Sequence, residues 1–141
     1  MKNACHTFLI DDDEDDRYIF ELAIKDMDQG IIHSSSASGY EALNKIKNEP
    51  EFTPDFIFLD LNMPLIGGKE CLAEIRKIER LKEVPVYIYS SFLQPPDAEK
   101  LRDAGARAYI AKPADIKELS RILTRILNIN EVESLYSFEA A

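Results

Sequence analysis

The sequence predicts an α/β protein with a doubly wound parallel sheet of five strands and helices on both faces. Five short apolar segments alternate with longer segments whose apolar residues recur at helical spacing. The connections are short, and successive strand–helix–strand units of this kind form parallel, right-handed crossovers. The 141 residues suffice for one domain with a sizeable core, and we find no linker or internal repeat.

The first strand and helix are distinct, whereas the second strand is weak. Apolar residues at 8–10 predict the first strand. Helical spacing predicts a helix over 15–28, with acids early, where the helix dipole is positive, and Gly30 after its end. Residues 31–33 predict the second strand, which the three following serines make less distinct.

The second helix and the third strand follow a clear capping signal. We expect Ser38 to cap the helix, because Glu41 stands three residues later, as in a capping box. Pro50 and Pro54 bracket the next loop. The strand predicted at 55–60 is almost uninterrupted in its apolar character, which indicates burial on both faces of the sheet.

Glycines and a proline delimit the third helix and the fourth strand. Gly67 and Gly68 open a helix whose apolar residues extend to Ile78. Pro85 then introduces the apolar strand predicted at 86–89. Both elements fit the alternation that the first half of the chain begins.

The last two helices enclose the fifth strand. Pro95 suits a helix start, since proline is tolerated in the first turn, and Gly105 closes that helix. Residues 108–111 form the fifth predicted strand. Asp115 is expected to cap a last helix whose apolar residues recur up to residue 127.

Composition argues against several classes of protein. The formal net charge of −9 disfavours nucleic-acid binding, which needs a basic surface. No apolar segment approaches the ~20 residues of a membrane-spanning helix, and we expect no secretory signal. Cys5 and Cys71 are too few for a disulfide framework, so we expect reduced thiols in a cytoplasmic protein.

Polar residues follow the predicted strands abruptly and carry the chemistry. Asp11 and Asp12 follow the first strand, Asp60 the third, Ser90 the fourth and Lys112 the fifth. Their strand ends meet at one edge of a parallel sheet, where ligands of open α/β folds bind. Clustered carboxylates repel one another without a cation, and such oxygen ligands suit Mg²⁺. The sequence therefore predicts a metal site, with Asp60 as the candidate reactive carboxylate.

These residues and their neighbours resemble the receiver domain of two-component response regulators. The motifs that carry the similarity are LIDDD at 9–13, FLDLNMP at 58–64, Ser90-Ser91 and Lys112-Pro113. They stand in the order and spacing of that family over residues 8 to about 127. The resemblance implies a (βα)5, flavodoxin-like receiver domain over 1–127 and a short tail over 128–141. It also implies a stand-alone bacterial regulator.

The resemblance implies a role for each residue of the site. Asp60 would accept a phosphoryl group from a histidine kinase or a histidine phosphotransfer protein. Asp12 and Asp60 would bind Mg²⁺ directly, Asn62 would contribute its backbone carbonyl group, and Asp11 would act through a water molecule. Lys112 would pair with the phosphoryl group.

The resemblance further implies a conformational switch. Ser90 would contact a phosphoryl oxygen and move inward on activation, and Tyr109 would change rotamer with it. The peptide bond before Pro113 is typically cis in the family. Ser90 replaces the commoner threonine and Ser91 replaces a frequent alanine, departures that bear on the lifetime of the phosphoryl group.

The implied protein is a signalling switch that catalyses only its own phosphoryl uptake and slow dephosphorylation. Its altered surface would bind a downstream protein. We expect neither direct DNA binding nor membrane insertion. Both a monomer and a phosphorylation-dependent dimer agree with the sequence. The apolar residues Leu135, Tyr136 and Phe138 of the tail are interpreted as a frayed terminus, with a docking segment as the alternative.

Other interpretations fit the residues less well. The alternating acids from Asp11 resemble the start of an EF-hand loop, but Asp16 stands where that loop requires glycine. A P-loop is disfavoured because Glu70 replaces its Ser or Thr. A haloacid-dehalogenase-type phosphatase would have a second acid where Asn62 stands. A degenerate receiver, used only as an interaction module, stays open, although the acids and the lysine argue against it.

Overall fold

The computed structural model describes residues 5–27 and 29–128, which form one parallel sheet flanked by helices. The strands are β1 (His6–Ile10), β2 (Ile32–Ser36), β3 (Phe56–Leu59), β4 (Val86–Ser90) and β5 (Ala108–Ala111). The helices are α1 (Glu14–Met27), α2 (Gly39–Asn48), α3 (Gly68–Arg76), α4 (Pro95–Asp103) and α5 (Ile116–Asn128), with a 3₁₀ turn at Glu79–Leu81. The predicted alternation is confirmed, and the predicted tail lies outside the described residues from residue 129 onward.

The strand order places a topological switch point at the centre of the sheet. The order is β2-β1-β3-β4-β5, and every neighbouring pair is parallel. The chain runs from β1 outward to β2 and then returns to the other side of β1 with β3. Open α/β sheets bind ligands outside the carboxyl ends of the strands at such a point. This is where the candidate acids follow β1 and β3.

Helices cover both faces of the sheet, as predicted. Alternate strand side chains point to opposite faces, so Leu9 lies on one face and Phe8 and Ile10 on the other. The Leu9 face packs against α1 and α5 through residues such as Phe20 and Leu123. The opposite face packs against α2, α3 and α4. Burial on two faces explains why the central strands are nearly continuous apolar segments.

Both predicted helix caps are confirmed, with one refinement. The Ser38 hydroxyl accepts a 3.0 Å hydrogen bond from the Glu41 backbone N–H. The Glu41 carboxylate accepts from the N–H of Ala37, one residue earlier than in a standard capping box. Asp115 accepts a 2.8 Å hydrogen bond from the Glu118 N–H at the start of α5.

Helix α3 is shorter than predicted. It ends at Arg76, whereas the apolar pattern extended it to Ile78. The Arg76 guanidinium donates to the carbonyl groups of Leu81, Val84 and Gly105, and these bonds hold the chain in a turn after the helix. Ile78 still packs against the core, which accounts for its apolar character.

The two cysteines fit the prediction of thiols rather than a disulfide framework. Neither Cys5 nor Cys71 forms a disulfide. Burial, with the charge of Glu74 as a smaller cause, raises the pKa of the Cys71 thiol to about 12. Among the described residues, every helix is too short or too polar to cross a membrane.

Candidate functional site

The carboxyl edge of the sheet fixes the backbone positions of the predicted site. The backbone N–H of Asp60 donates to the carbonyl of Ile10 at 2.9 Å, and that of Lys112 donates to the carbonyl of Ser90 at 3.0 Å. Asp11 likewise donates to the last residue of β2 at 3.1 Å. These bonds continue the strand ladders by one residue. The sheet rather than a free loop therefore positions the groups of the candidate site.

One open pocket of about 300 Å³ collects most of the predicted side chains. The lining residues are Asp12, Asp13, Asp16, Asp60, Asn62, Ser90, Ser91 and Lys112. Asp11 lies beneath, fully buried, and Tyr109 lies behind Ser90 on the neighbouring strand. The structure thus brings together residues from four different strand ends, as the sequence predicted.

Three of the four residues expected at the metal site are acids that form a compact set of oxygens. Each of Asp11, Asp12 and Asp60 offers one carboxylate oxygen, and these oxygens lie within 4.8 Å of one another. Asp11 and Asp60 are buried, whereas Asp12 is exposed. The buried Oδ2 atom of Asp11 makes no hydrogen bond with any described residue. Carboxylate oxygens gathered at the edge of an open pocket fit a hard divalent cation such as Mg²⁺.

Burial and neighbouring acids disfavour the charged forms of Asp60 and Asp11. Burial, followed by the charge of Asp11, raises the pKa of Asp60 to about 6. Burial also raises the pKa of Asp11, although a hydrogen bond from the Asp13 N–H and the charge of Lys112 oppose it. A cation among these groups would favour their charged forms and so oppose both effects on the pKa. The raised pKa values of Asp60 and Asp11 therefore agree with a cation site at these clustered oxygens.

Lys112 is bound mainly by acids other than Asp60. Its Nζ atom lies 2.7 Å from Asp16 Oδ2, 2.9 Å from Asp11 Oδ2 and 3.8 Å from Asp60 Oδ2. The contact with Asp11 is an ion pair without hydrogen-bond geometry, whereas that with Asp16 is a hydrogen bond. Burial alone would lower the pKa of Lys112, but Asp16 and Asp11 outweigh it and raise this pKa to about 12.

Asp16 is a site residue that the sequence analysis missed. The Asp13 carboxylate accepts the Asp16 N–H at 2.9 Å and so caps α1. Side chains of a helix lean toward its N-terminus, which brings Asp16 back over the strand ends. The signal was the acidic run from Asp11, whose third member caps the helix. Arg17, also missed, donates to the Asp11 carbonyl at 2.9 Å and ties α1 to the end of β1.

The predicted switch residues are connected through Ser90. Ser90 is fully buried, and its hydroxyl donates to the carbonyl of Phe92 at 3.4 Å. The Tyr109 hydroxyl donates to the Ser90 carbonyl at 3.3 Å. Ser91 is exposed beside the pocket. The structure places Ser90 and Tyr109 together, and Ser91 on the solvent side.

The loop after β3 depends on Gly68. A Cβ atom at this position would lie 2.6 Å from the Asp60 carbonyl oxygen and 2.7 Å from the Cα atom of Leu61. Only glycine allows α3 to begin so close to the strand end that carries Asp60. In the same loop the N–H of Asn62 points to Asp60 Oδ1 at 3.5 Å, and Leu65 has a φ of 67°.

The expectation of a cis peptide bond before Pro113 is wrong for this structure. All peptide bonds of the described residues are trans. The trans form is the one that an X–Pro bond favours, by ~0.5–1 kcal/mol.

Comparison with known proteins identifies relatives over nearly the whole chain. Residues 7–124 match the family model described as the response regulator receiver domain. The two-component response regulator ORR13 of Oryza sativa subsp. japonica is 33% identical over 121 residues, which cover 86% of this chain and 97% of that protein. The sensor histidine kinase CheAY of Helicobacter pylori is 29% identical over 89% of this chain, but the match covers only 15% of that protein.

Solved structures agree with these matches. The phosphorylated cyanobacterial phytochrome response regulator RcpA is 30% identical, with a TM-score of 0.78 and coverage of 88% of this chain and 91% of its own. The chemotaxis protein CheY4 of Vibrio cholerae is 25% identical, with a TM-score of 0.77 and coverage of 89% and 100%. The relatives come from both plants and bacteria, so the bacterial origin expected for this chain stays a prediction.

Proposed function

This chain belongs to the response regulator receiver domains of two-component signalling, and on that basis we propose that it is a switch phosphorylated on Asp60. The proposed donor is a histidine kinase or a histidine phosphotransfer protein, and the proposed target is a downstream protein. We assign the switch to residues 1–127. One observation carries the proposal: Asp60 stands at the topological switch point, between two further acids and Lys112.

The proposed reaction transfers a phosphoryl group between two side chains. A carboxylate oxygen of Asp60 attacks the phosphorus atom of a phosphohistidine, forming an O–P bond while the N–P bond breaks. The electron pair of the N–P bond returns to the imidazole nitrogen, which takes up a proton from water. Lys112 offsets the negative charge on the transferred oxygens once it moves closer than its present 3.8 Å from Asp60.

The proposed metal site uses the carboxylates of Asp12 and Asp60 and the backbone carbonyl of Asn62, with Asp11 acting through water. The clustering of three carboxylate oxygens within 4.8 Å of one another supports this assignment. Bound Mg²⁺ would supply positive charge that neutralises these acids and the phosphoryl oxygens.

The proposed switch acts through Ser90. Its hydroxyl now donates to a neutral carbonyl at 3.4 Å, which is a long hydrogen bond. A phosphoryl oxygen on Asp60 is a charged and therefore stronger acceptor. If the Ser90 side chain turns toward this oxygen, the Ser90 backbone adjusts with it. The Ser90 carbonyl accepts the hydrogen bond of the Tyr109 hydroxyl, so the change reaches Tyr109 as well. Phosphorylation would thereby bias an existing equilibrium between two arrangements of this face.

Asn62, two positions after Asp60, favours a switch over steady hydrolysis of the phosphoryl group. Asn62 stands where an aspartate-dependent phosphatase would have its second acid, and an amide does not act as a general base for water. We therefore propose slow loss of the phosphoryl group.

Labelling with acetyl phosphate tests the proposed function. Wild type should acquire one acid-labile phosphoryl group in Mg²⁺, measured by intact-protein mass. Asp60→Asn and wild type with excess EDTA are the controls, and both should remain unlabelled. Wild type labelled no more than Asp60→Asn would contradict the proposal and favour a receiver that serves only as an interaction module.

A further inference from the structure

We propose that Asp16 is a positioning residue of this switch, which holds Lys112 in the unphosphorylated state and must be exchanged for the phosphoryl group when Asp60 is phosphorylated. The inference rests on the proposed function of Asp60 and adds a residue to it. Asp16 would thereby set the balance between the two states.

The first step of the argument is the order of distances around Lys112. Its ammonium group is 2.7 Å from Asp16 and 3.8 Å from Asp60, so it is bound to the first and only close to the second. Only 12% of the Lys112 side chain is exposed, and the Tyr89 ring lies 5.4 Å from Nζ. In so confined a place, a shift of the ammonium group toward phosphoryl oxygens on Asp60 should lengthen its contact with Asp16.

The second step is that Asp16, rather than Asp11, is the partner that can be given up. Asp11 is fully buried at a strand end, and its carboxylate also accepts the N–H of Asp13. Asp16 belongs to α1, and 30% of its side chain is exposed. A carboxylate in that position can turn to water when Lys112 leaves, at little cost in desolvation.

The third step is the direction of the effect. The ion pair with Asp16 stabilises the unphosphorylated state, and phosphorylation removes it. A variant without this charge therefore lacks a stabilising contact in one state only. It should favour the state in which Lys112 faces Asp60. If Lys112 contacted Asp16 equally in both states, removal of the charge would change nothing.

The test uses beryllofluoride, a mimic of the phosphoryl group, at a Mg²⁺ concentration that saturates each variant. Asp16→Asn should bind beryllofluoride about three- to tenfold more tightly than wild type, the range expected for one partly exposed, charge-assisted pair. Asp15→Asn is the matched control, because it removes the same charge from the same first turn of α1. Asp16→Glu keeps the charge and should restore binding toward the wild-type value.

A spectroscopic readout separates this role from a structural one. The NMR signal of the Lys112 ammonium group should move on beryllofluoride binding in wild type, and should already be displaced in unliganded Asp16→Asn. Equal beryllofluoride affinities of Asp16→Asn and Asp15→Asn would overturn the inference and leave the proposed function intact. Folded wild type that binds no beryllofluoride would overturn the proposed function, and this inference with it.

Discussion

The Tyr109 hydroxyl on β5 donates a 3.3 Å hydrogen bond to the backbone carbonyl of Ser90 at the end of β4. Ser90 lines the acidic pocket, whereas Tyr109 packs against the core on the α2–α4 face. Burial raises the pKa of Tyr109, so its hydroxyl remains a donor at neutral pH. Ser90 therefore connects the pocket to the half-buried Tyr109 on the α2–α4 face.

We predict that Ser90→Ala uncouples Tyr109 from the pocket. Loss of one hydrogen bond to a charged group should weaken beryllofluoride binding by roughly tenfold. The NMR signals of the Tyr109 ring, which should shift on binding in wild type, should shift little at saturation in the variant. Ser91→Ala is the matched control, since Ser91 is the exposed neighbour. A full shift of the Tyr109 signals in saturated Ser90→Ala would rule out this coupling.

We predict that Asp60→Asn stabilises the metal-free protein at neutral pH. Burial and the charge of Asp11 raise the pKa of Asp60 from 3.8 to about 6. A raised pKa means that this group contributes stability below pH 4, which is lost as the pH rises through 6. At pH 7.5 the variant should gain about 1–3 kcal/mol in the free energy of unfolding, measured with urea.

The pH dependence is the decisive control for this prediction. The difference between Asp60→Asn and wild type should shrink toward pH 4, where the wild-type carboxyl is protonated. Asp12→Asn removes the same charge from an exposed position and should have a smaller effect. A constant difference between pH 4 and 7.5 would show that it does not arise from the carboxylate.

His33 should have the opposite pH dependence. Its ring stacks on Phe20, Nδ1 lies 2.7 Å from Thr7 Oγ1, and Nε2 is buried without a hydrogen-bond partner among the described residues. Burial, followed by the charge of His6, lowers the pKa of His33 from 6.5 to about 4. The unfolded chain then binds more protons between pH 6.5 and 4, so stability falls as the pH drops through that window.

We expect this loss to reach about 2–3 kcal/mol at pH 4. It should be measured by urea unfolding in an Asp60→Asn background, which removes the opposite contribution of Asp60. His33→Gln should abolish most of the loss, because glutamine keeps a polar group near Thr7 but does not titrate. The same slope with and without His33 would assign the pH dependence to other groups.

The strand ends were predictable because local rules determine them. A buried strand is apolar on both faces and stops at a polar residue, so Asp11, Asp60 and Lys112 could be placed at one edge without knowledge of any contact. Even the weak second strand formed, although it extends over 32–36 rather than 31–33. Its pairing with β1 uses backbone groups, which serine provides as well as any residue.

Features that depend on distant contacts were not predictable. Asp16 reaches Lys112 only because Asp13 sets the start of α1, and a start shifted by one residue would turn the carboxylate away by about 100°. The end of α3 depends on Arg76, which donates to Gly105, 29 residues further along the chain. The acidic run marks the start of α1, but neither the contact of Asp16 with Lys112 nor that of Arg76 with Gly105 leaves a local pattern in the sequence.

Gly68→Ala should disrupt the site from outside the pocket. The new Cβ atom would lie 2.6 Å from the Asp60 carbonyl oxygen, and a backbone atom cannot yield without moving Asp60 itself. The clash should outweigh the ~1 kcal/mol by which alanine is favoured over glycine in a helix. We expect a net loss of about 1–3 kcal/mol in unfolding free energy and weaker Mg²⁺ binding, measured by urea unfolding and calorimetric titration.

Gly67→Ala provides the control for this substitution. Its Cβ would approach Glu70 Oε1 at 3.0 Å, and that flexible side chain can move aside. We expect its stability to stay within about 0.5 kcal/mol of wild type, with unchanged Mg²⁺ binding. Two glycines that adjoin in sequence should therefore differ sharply, because only one faces the backbone of the reactive residue. Equal stability and equal Mg²⁺ affinity of the two variants would show that the loop can shift without moving Asp60.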